Sequence, residues 1–210
     1  DGDADRMFPV DEHGNVVDGS MVTAAVANSL LRKYPGSTIL HNLIVSKSVP
    51  ELVNQLGGTA IRTRVGHSYI KAEMRKLNAI FGGEHSGHFY FRDNWFADSG
   101  LIAFLIILEL VSVEGKPFSE LLKPLDKWVR SGEINTTVSD VQGKLHALEE
   151  HYGKQAHSID HLDGITLDFG DWWFNVRSSN TEPLLRLNVE AKNKALMEQK
   201  RDELLSFIRS

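Results

Sequence analysis

Three aspartates on alternate residues open the sequence, in Asp1-Gly2-Asp3-Ala4-Asp5-Arg6. Like charges this close repel unless a cation sits among them, and carboxylate oxygens suit a hard divalent ion such as magnesium. Arg6 suits a phosphate oxygen held beside that metal. The spacing admits other chemistry. Asp1, Asp3, Asp5 and Glu12 match ligand positions of a calcium EF-hand loop, although Arg6 stands where the sharp turn needs glycine and Pro9 interrupts the pattern. An Asp-x-Asp phosphatase nucleophile would follow an apolar strand, which this sequence does not contain ahead of Asp1. A solvated acidic turn would need no ligand. A functional loop usually sits at the end of a supporting element, so more chain is expected upstream of this one.

Three further stretches carry reactive or ligand-binding groups. In Gly82-Gly83-Glu84-His85-Ser86-Gly87-His88 the glycines let backbone approach a ligand, and Glu84, Ser86 and His88 offer an acceptor, a hydroxyl and an imidazole on alternate residues. That set suits the vicinal hydroxyls of a sugar, though a polar loop between two strands would have the same composition. In Arg177-Ser178-Ser179-Asn180-Thr181-Glu182-Pro183, closed by Arg186, two arginines flank small hydroxyl and amide residues. Guanidinium forks, hydroxyls and backbone amides build a phosphate cradle; a structural turn with Glu182 in an ion pair is the alternative. Val65-Gly66-His67-Ser68-Tyr69-Ile70-Lys71 opens a helix with a histidine able to transfer protons, or merely to end a helix. Lys47 lies where a strand meets a helix, the place where α/β folds put ligands, and is otherwise a solvated lysine.

The elements that must position these groups alternate. Helices are predicted from a Ser20 cap through Leu31, from Ser48 to Gly57-Gly58, over Tyr69–Leu77, and from a Ser99 cap through Val113, the last reading as a buried helix. Strands are predicted over Thr38–Val45, Ala60–Thr63, Ala79–Phe81 and Phe89–Phe91, with a Gly-rich turn between the last two. Together they form an α/β unit. Glu114–Gly132, with Gly115, Pro117, Pro124 and Gly132, marks a candidate boundary. Beyond it lie predicted strands at Ile134–Val138, Ile165–Phe169, Trp173–Val176 and Leu184–Val189. Helices are predicted over Asp140–His151 and Ala195–Ile208, the latter with Met197, Leu204, Leu205 and Ile208 on one face.

Two hundred and ten residues suit one large or two small domains, and 41% hydrophobic content is enough for real cores. A net charge of −5 gives no electrostatic case for a nucleic-acid partner. The absence of cysteine excludes disulfides and thiolate metal sites and fits a reducing, cytoplasmic location. The longest apolar run, Leu101–Leu108, is far short of the about 18 residues that span a bilayer, so no membrane partner is expected.

Taken together, in order and spacing, these loops resemble the α-D-phosphohexomutase family, in particular bacterial enzymes with a GExSGH sugar loop. DGDADR is similar to the family's magnesium loop, GHSYIK to a further active-site stretch, GEHSGH to its sugar loop and RSSNTEPLLR to its phosphate loop. The resemblance covers essentially the whole chain. It implies a four-domain enzyme of which this sequence holds the C-terminal half: residues 1–8 ending domain two, 9–130 forming an α/β domain three, and 131–210 forming a TATA-binding-protein-like α+β domain four. It implies that Asp1, Asp3 and Asp5 bind Mg2+ and that Arg6 lies near the transferred phosphoryl group. Glu84 and Ser86, with His88 nearby, would hold sugar hydroxyls. Arg177, Ser179, Asn180, Thr181 and Arg186 would surround the non-reacting phosphate, and His67 and Lys47 would assist proton transfer or phosphate binding. The implied reaction interconverts hexose 1-phosphate and hexose 6-phosphate, of mannose or glucose, through a phosphoserine and a hexose bisphosphate. A glucosamine phosphate mutase would use a similar loop. No residue here matches the phosphoserine, which belongs to the family's N-terminal domains. The chain alone is therefore expected to bind phosphosugar without turnover.

Overall fold

The computed structural model describes residues 2–3, 5–179 and 182–210. Two units follow one another, Asp1–Lys127 and Trp128–Ser210.

In the first unit the order is α1 (Gly19–Lys33), β1 (Thr38–Asn42), α2 (Ser48–Gln55), β2 (Thr59–Thr63), α3 (His67–Leu77), β3 (Phe81–Gly83), β4 (Phe89–Phe91), β5 (Ala97–Asp98), α4 (Gly100–Glu114) and α5 (Phe118–Leu122). The sheet runs β2-β1-β3-β4-β5. β1 is parallel to β2 and β3, while β4 and β5 are antiparallel additions. α1, α2, α4 and α5 cover one face around Val22, Val26, Ile39, Phe81 and Phe89. The other face carries α3, whose Ile70 and Met74 pack on Leu40 and Tyr90. Parallel strands need such crossover helices, and cover on both faces explains why β1 is buried continuously from Ile39 to Asn42.

Three expectations need correction. Ser20 is not the cap of α1; the Asp18 carboxylate accepts from the Ser20 and Met21 amides at 2.8 and 3.1 Å, and Ser20 sits buried inside the first turn. Gly82 and Gly83 are strand residues rather than turn residues. A Cβ on Gly82 would lie 2.9 Å from Met74 Sδ, and one on Gly83 would enter the Thr23 side chain, so two helix layers press onto a strand that has no room for side chains. The apolar helix α4 is only half covered. Ala103, Ile107 and Leu110 face the core, whereas Leu101, Phe104, Leu105 and Leu108 are 46–64% exposed. A helix apolar on every side is expected to be buried, but among the described residues only one layer lies against it.

The second unit runs β6 (Val129–Thr137), α6 (Val141–Tyr152), β7 (Ser158–Asp160), β8 (Ile165–Asp168), β9 (Trp172–Ser178), β10 (Leu184–Ala191) and α7 (Lys194–Arg209). Its sheet is antiparallel throughout, ordered β6-β10-β9-β8-β7. Strand alternation sends Trp172, Phe174, Val176, Leu185, Leu187 and Val189 into a core with Leu148 of α6 and Met197, Leu204 and Ile208 of α7. The same alternation sends Arg177, Arg186 and Glu133 to the opposite face, away from the helices. Asp140 and Asn193 cap α6 and α7 through the Gly143 and Leu196 amides. The short elements α5, β5 and β7 were not anticipated.

Candidate functional site

The C-terminal ends of the three parallel strands converge. β1 ends at Asn42, β2 leads through Gly66 to His67 at the start of α3, and β3 leads into Glu84. Such convergence is where open α/β sheets collect ligands. Glu84 is 2% exposed and fully engaged: Oε1 accepts from Tyr90 Oη at 2.5 Å, and Oε2 accepts from Asn42 Nδ2 at 3.0 Å and the Gly66 amide at 3.4 Å. A buried carboxylate is tolerable only with donors of this kind. The turn is closed by Gly87, whose φ of +85° favours glycine and which lies under the Phe8 ring.

The turn also joins the N-terminal segment to the cluster. Arg6 forms an antiparallel bridge with His88, and the Met7 amide donates to the Gly87 carbonyl at 3.2 Å. His88 Nδ1 meets Ser86 Oγ at 2.9 Å, and its Nε2 is 3.5 Å from Asp5 Oδ2. The His67 and His88 rings meet edge to face at 4.2 Å. Asp98, across from Tyr90 in the β4–β5 register, places Oδ2 3.5 Å from His67 Nδ1 and accepts from Lys71 Nζ at 2.7 Å through Oδ1. Burial, together with the neighbouring His67, pushes His88 below the ordinary histidine range despite the carboxylates around it. Burial works to raise Asp98, but the Lys71 ammonium and His67 outweigh it and hold the carboxyl below the usual range. Burial and then Glu84 push the Tyr90 phenol well up, so it stays protonated.

Of the three aspartates expected at the metal, Asp1 lies outside the described residues, Asp3 is exposed and Asp5 is half-buried. Asp5 Oδ1 is buried without a hydrogen-bond partner, an acceptor suited to a cation. Glu12 does not turn back toward them as an EF-hand ligand would; it accepts from the Ser119 amide at 3.3 Å and from the Ser119 hydroxyl. Among the described residues, His67, His88 and Asp98 also bring ligand atoms within 4.8 Å of one another, but Lys71 already occupies Asp98. Lys47 is the half-buried N-cap residue of α2, just beyond β1.

The second cluster lies in the second unit, at the β9–β10 hairpin. Arg177 and Arg186 stand directly opposite each other. Like charges in that position repel, and Glu133 of β6 compensates them: Arg177 Nη2 donates to its Oε2 at 2.8 Å and Arg186 Nη1 to its Oε1 at 3.3 Å. Arg186 Nη2 also approaches Ser179 Oγ at 3.4 Å. Among the described residues, Nε of both arginines is buried without a partner. Asn180 and Thr181 lie outside the described residues. Sequence reading did not single out Tyr90, Asn42, Asp98, Lys71 or Glu133 as site residues. Of these, only Lys71 fell within a quoted motif.

The sequence matches the phosphoglucomutase/phosphomannomutase alpha/beta/alpha domain III over residues 18–128 and the C-terminal domain of the same proteins over residues 133–206. The chain belongs to the phosphoglucomutase/phosphomannomutase family. A phosphohexose mutase of Xanthomonas campestris pv. campestris is 42% identical over all of the chain and 47% of its own length, and the phosphomannomutase of Escherichia coli K12 is 40% identical over 99% and 46%. The chain thus spans about half the length of the curated relatives it matches. The crystal structure of a Burkholderia thailandensis phosphoglucomutase/phosphomannomutase family protein superposes with a TM-score of 0.86, at 28% identity, over 99% of this chain and 45% of that one. In this family member the buried Glu84 network belongs to domain III and the paired arginines to the C-terminal domain. No helix of the described residues is long and apolar enough to cross a membrane.

Proposed function

We propose that the chain provides the sugar- and phosphate-recognising half of a phosphohexomutase, which interconverts hexose 1-phosphate and hexose 6-phosphate of mannose or glucose. Residues 1–8 would end domain two, 9–130 form domain three and 131–210 domain four. The supporting observation is the arginine pair of the C-terminal domain: two opposed guanidiniums, one shared carboxylate and two buried, unpartnered Nε donors make a site that gains by taking in a dianion.

Glu84 is held as an acceptor for sugar hydroxyls, with Ser86 and His88 beside it. Arg177, Ser179 and Arg186, with Asn180 and Thr181, hold the distal phosphate. Arg6 is carried to the sugar loop by its bridge to His88, where it can meet the phosphate to be transferred. His67, and Lys47 at the head of α2, are placed to move a proton at the attacking hydroxyl or to hold phosphate. Asp3 and Asp5, with Asp1, would hold Mg2+, and Asp5 Oδ1, which accepts no hydrogen bond among the described residues and lies 3.9 Å from Arg6 Nε, suits it. The ion would supply Lewis-acid neutralisation of charge on the phosphoryl oxygens. The phosphoserine and bisphosphate cycle is assigned to the complete enzyme, and the 210-residue chain alone is a binder without turnover.

Calorimetry with mannose 1-phosphate and glucose 6-phosphate tests the proposal. Binding by the chain is expected, weakened about tenfold or more by Arg177→Ala and by Glu84→Ala, since each removes hydrogen bonds to a charged or buried group. Absence of binding by the unmodified chain refutes it.

A further inference from the structure

We propose that Tyr90 is a positioning residue that ties Glu84 to His67 and holds the His67 ring in its Nδ1–H tautomer, leaving Nε2 as the ring's proton acceptor. Tyr90 is fully buried, and among the described residues its hydroxyl is hydrogen-bonded to both side chains, 2.5 Å from Glu84 Oε1 and 3.0 Å from His67 Nδ1. A phenol has one proton to give. Glu84 takes donors on both oxygens, with Asn42 and Gly66 already on Oε2. A carboxylate accepts only, and an O–O approach of 2.5 Å requires a proton between the oxygens, so the phenolic proton lies toward Glu84. The Tyr90 oxygen then has only lone pairs to offer His67, and Nδ1 must be the donor. Asp98 Oδ2, 3.5 Å from the same nitrogen, favours the same placement and is itself anchored by Lys71. Two acceptors therefore face one ring nitrogen, and the other is left without its proton.

The chain Asn42–Glu84–Tyr90–His67–Asp98 thus makes one hydroxyl responsible for two jobs. It orients the buried carboxylate, and it selects which imidazole nitrogen can accept a proton. Use of Nε2 toward a sugar hydroxyl rests on the function proposed above; the hydrogen-bond chain does not. Tyr90→Phe removes the shared oxygen and keeps the ring that packs with Leu40, Ile70 and Met74.

The test is 15N NMR of histidine-labelled chain above the histidine titration range, with the His67 signals identified by their loss in His67→Gln. The unmodified chain is expected to show a protonated Nδ1 and an unprotonated Nε2 at His67, and Tyr90→Phe is expected to move population to the Nε2–H form. An Nε2–H ring in the unmodified chain overturns the proposal without recourse to any variant. An unchanged tautomer in Tyr90→Phe also overturns it, assigning the role to Asp98. In parallel, calorimetry with mannose 1-phosphate should show a several-fold weaker affinity for Tyr90→Phe. If the unmodified chain binds no phosphosugar, the functional reading fails while the NMR result on Tyr90 still stands or falls separately.

Discussion

Glu133→Gln isolates the electrostatics of the arginine pair. The substitution keeps the shape of the side chain and removes its charge, leaving Arg177 and Arg186 opposed across β9 and β10 with no neutralising group from β6. Removing one partner of a buried pair costs about 3–5 kcal/mol. Here Glu133 is 24% and Arg186 30% exposed, although Arg177 is only 9% exposed, so water screens part of the loss and about 2 kcal/mol is the expected cost. For a unit the size of Trp128–Ser210 that is a fall in Tm on the order of 10 °C. Urea unfolding followed by tryptophan fluorescence reads this unit well, because Trp128, Trp172 and Trp173 all lie in it. Inorganic phosphate provides the second half of the experiment. A dianion substitutes for the missing carboxylate, so phosphate should stabilise Glu133→Gln more than it stabilises the unmodified chain. Equal stability of the two proteins without phosphate, or an equal response to phosphate, refutes the account of Glu133 as the charge that holds the cradle together.

Two further outcomes follow from burial. Burial, joined by the charge of Arg62, pushes His41 down to about 4 from its ordinary 6.5. The unfolded chain therefore takes up a proton between those values that the folded chain refuses; the stability is intact above pH 6.5 and is lost as the pH falls toward 4. Denaturant titrations should show the unmodified chain losing about 2 kcal/mol more than His41→Asn between pH 7 and pH 5. On α4, Leu105→Glu and Leu108→Glu should each change unfolding stability by no more than about 0.5 kcal/mol, the range of surface positions. A loss of several kcal/mol would mean that this face is covered in solution.

What could be read from the sequence was what local chemistry announces. The Ser99 cap, the αβ alternation and the apolar stripe of α7 stand out because capping and periodicity act within a few residues. Gly82 and Gly83 misled for the same reason. Glycine pairs punctuate turns when considered locally, and only the approach of α1 and α3 shows why a strand should contain them. Tyr90 and Asn42 were hidden within predicted strands, and their polar atoms gain meaning from register, which sets Tyr90 across from Asp98, and from the fold, which carries Asn42 to Glu84. Glu133 is separated from Arg177 by more than forty residues of chain, and nothing in its neighbours marks it. The half-covered face of α4 was illegible because composition reports how apolar a helix is, not how many layers meet it.

The division after Lys127 has an evolutionary consequence. The hydrogen bonds that orient Glu84 come from Asn42, Gly66 and Tyr90, all before the division, while the carboxylate that balances Arg177 and Arg186 comes from β6, just after it. Each cluster carries its own supporting residues on its own core. A lineage could therefore acquire a different loop 84–88 by recombination at residues 127–128 without rewriting the arginine pair, and selection could tune the two clusters as separate heritable modules.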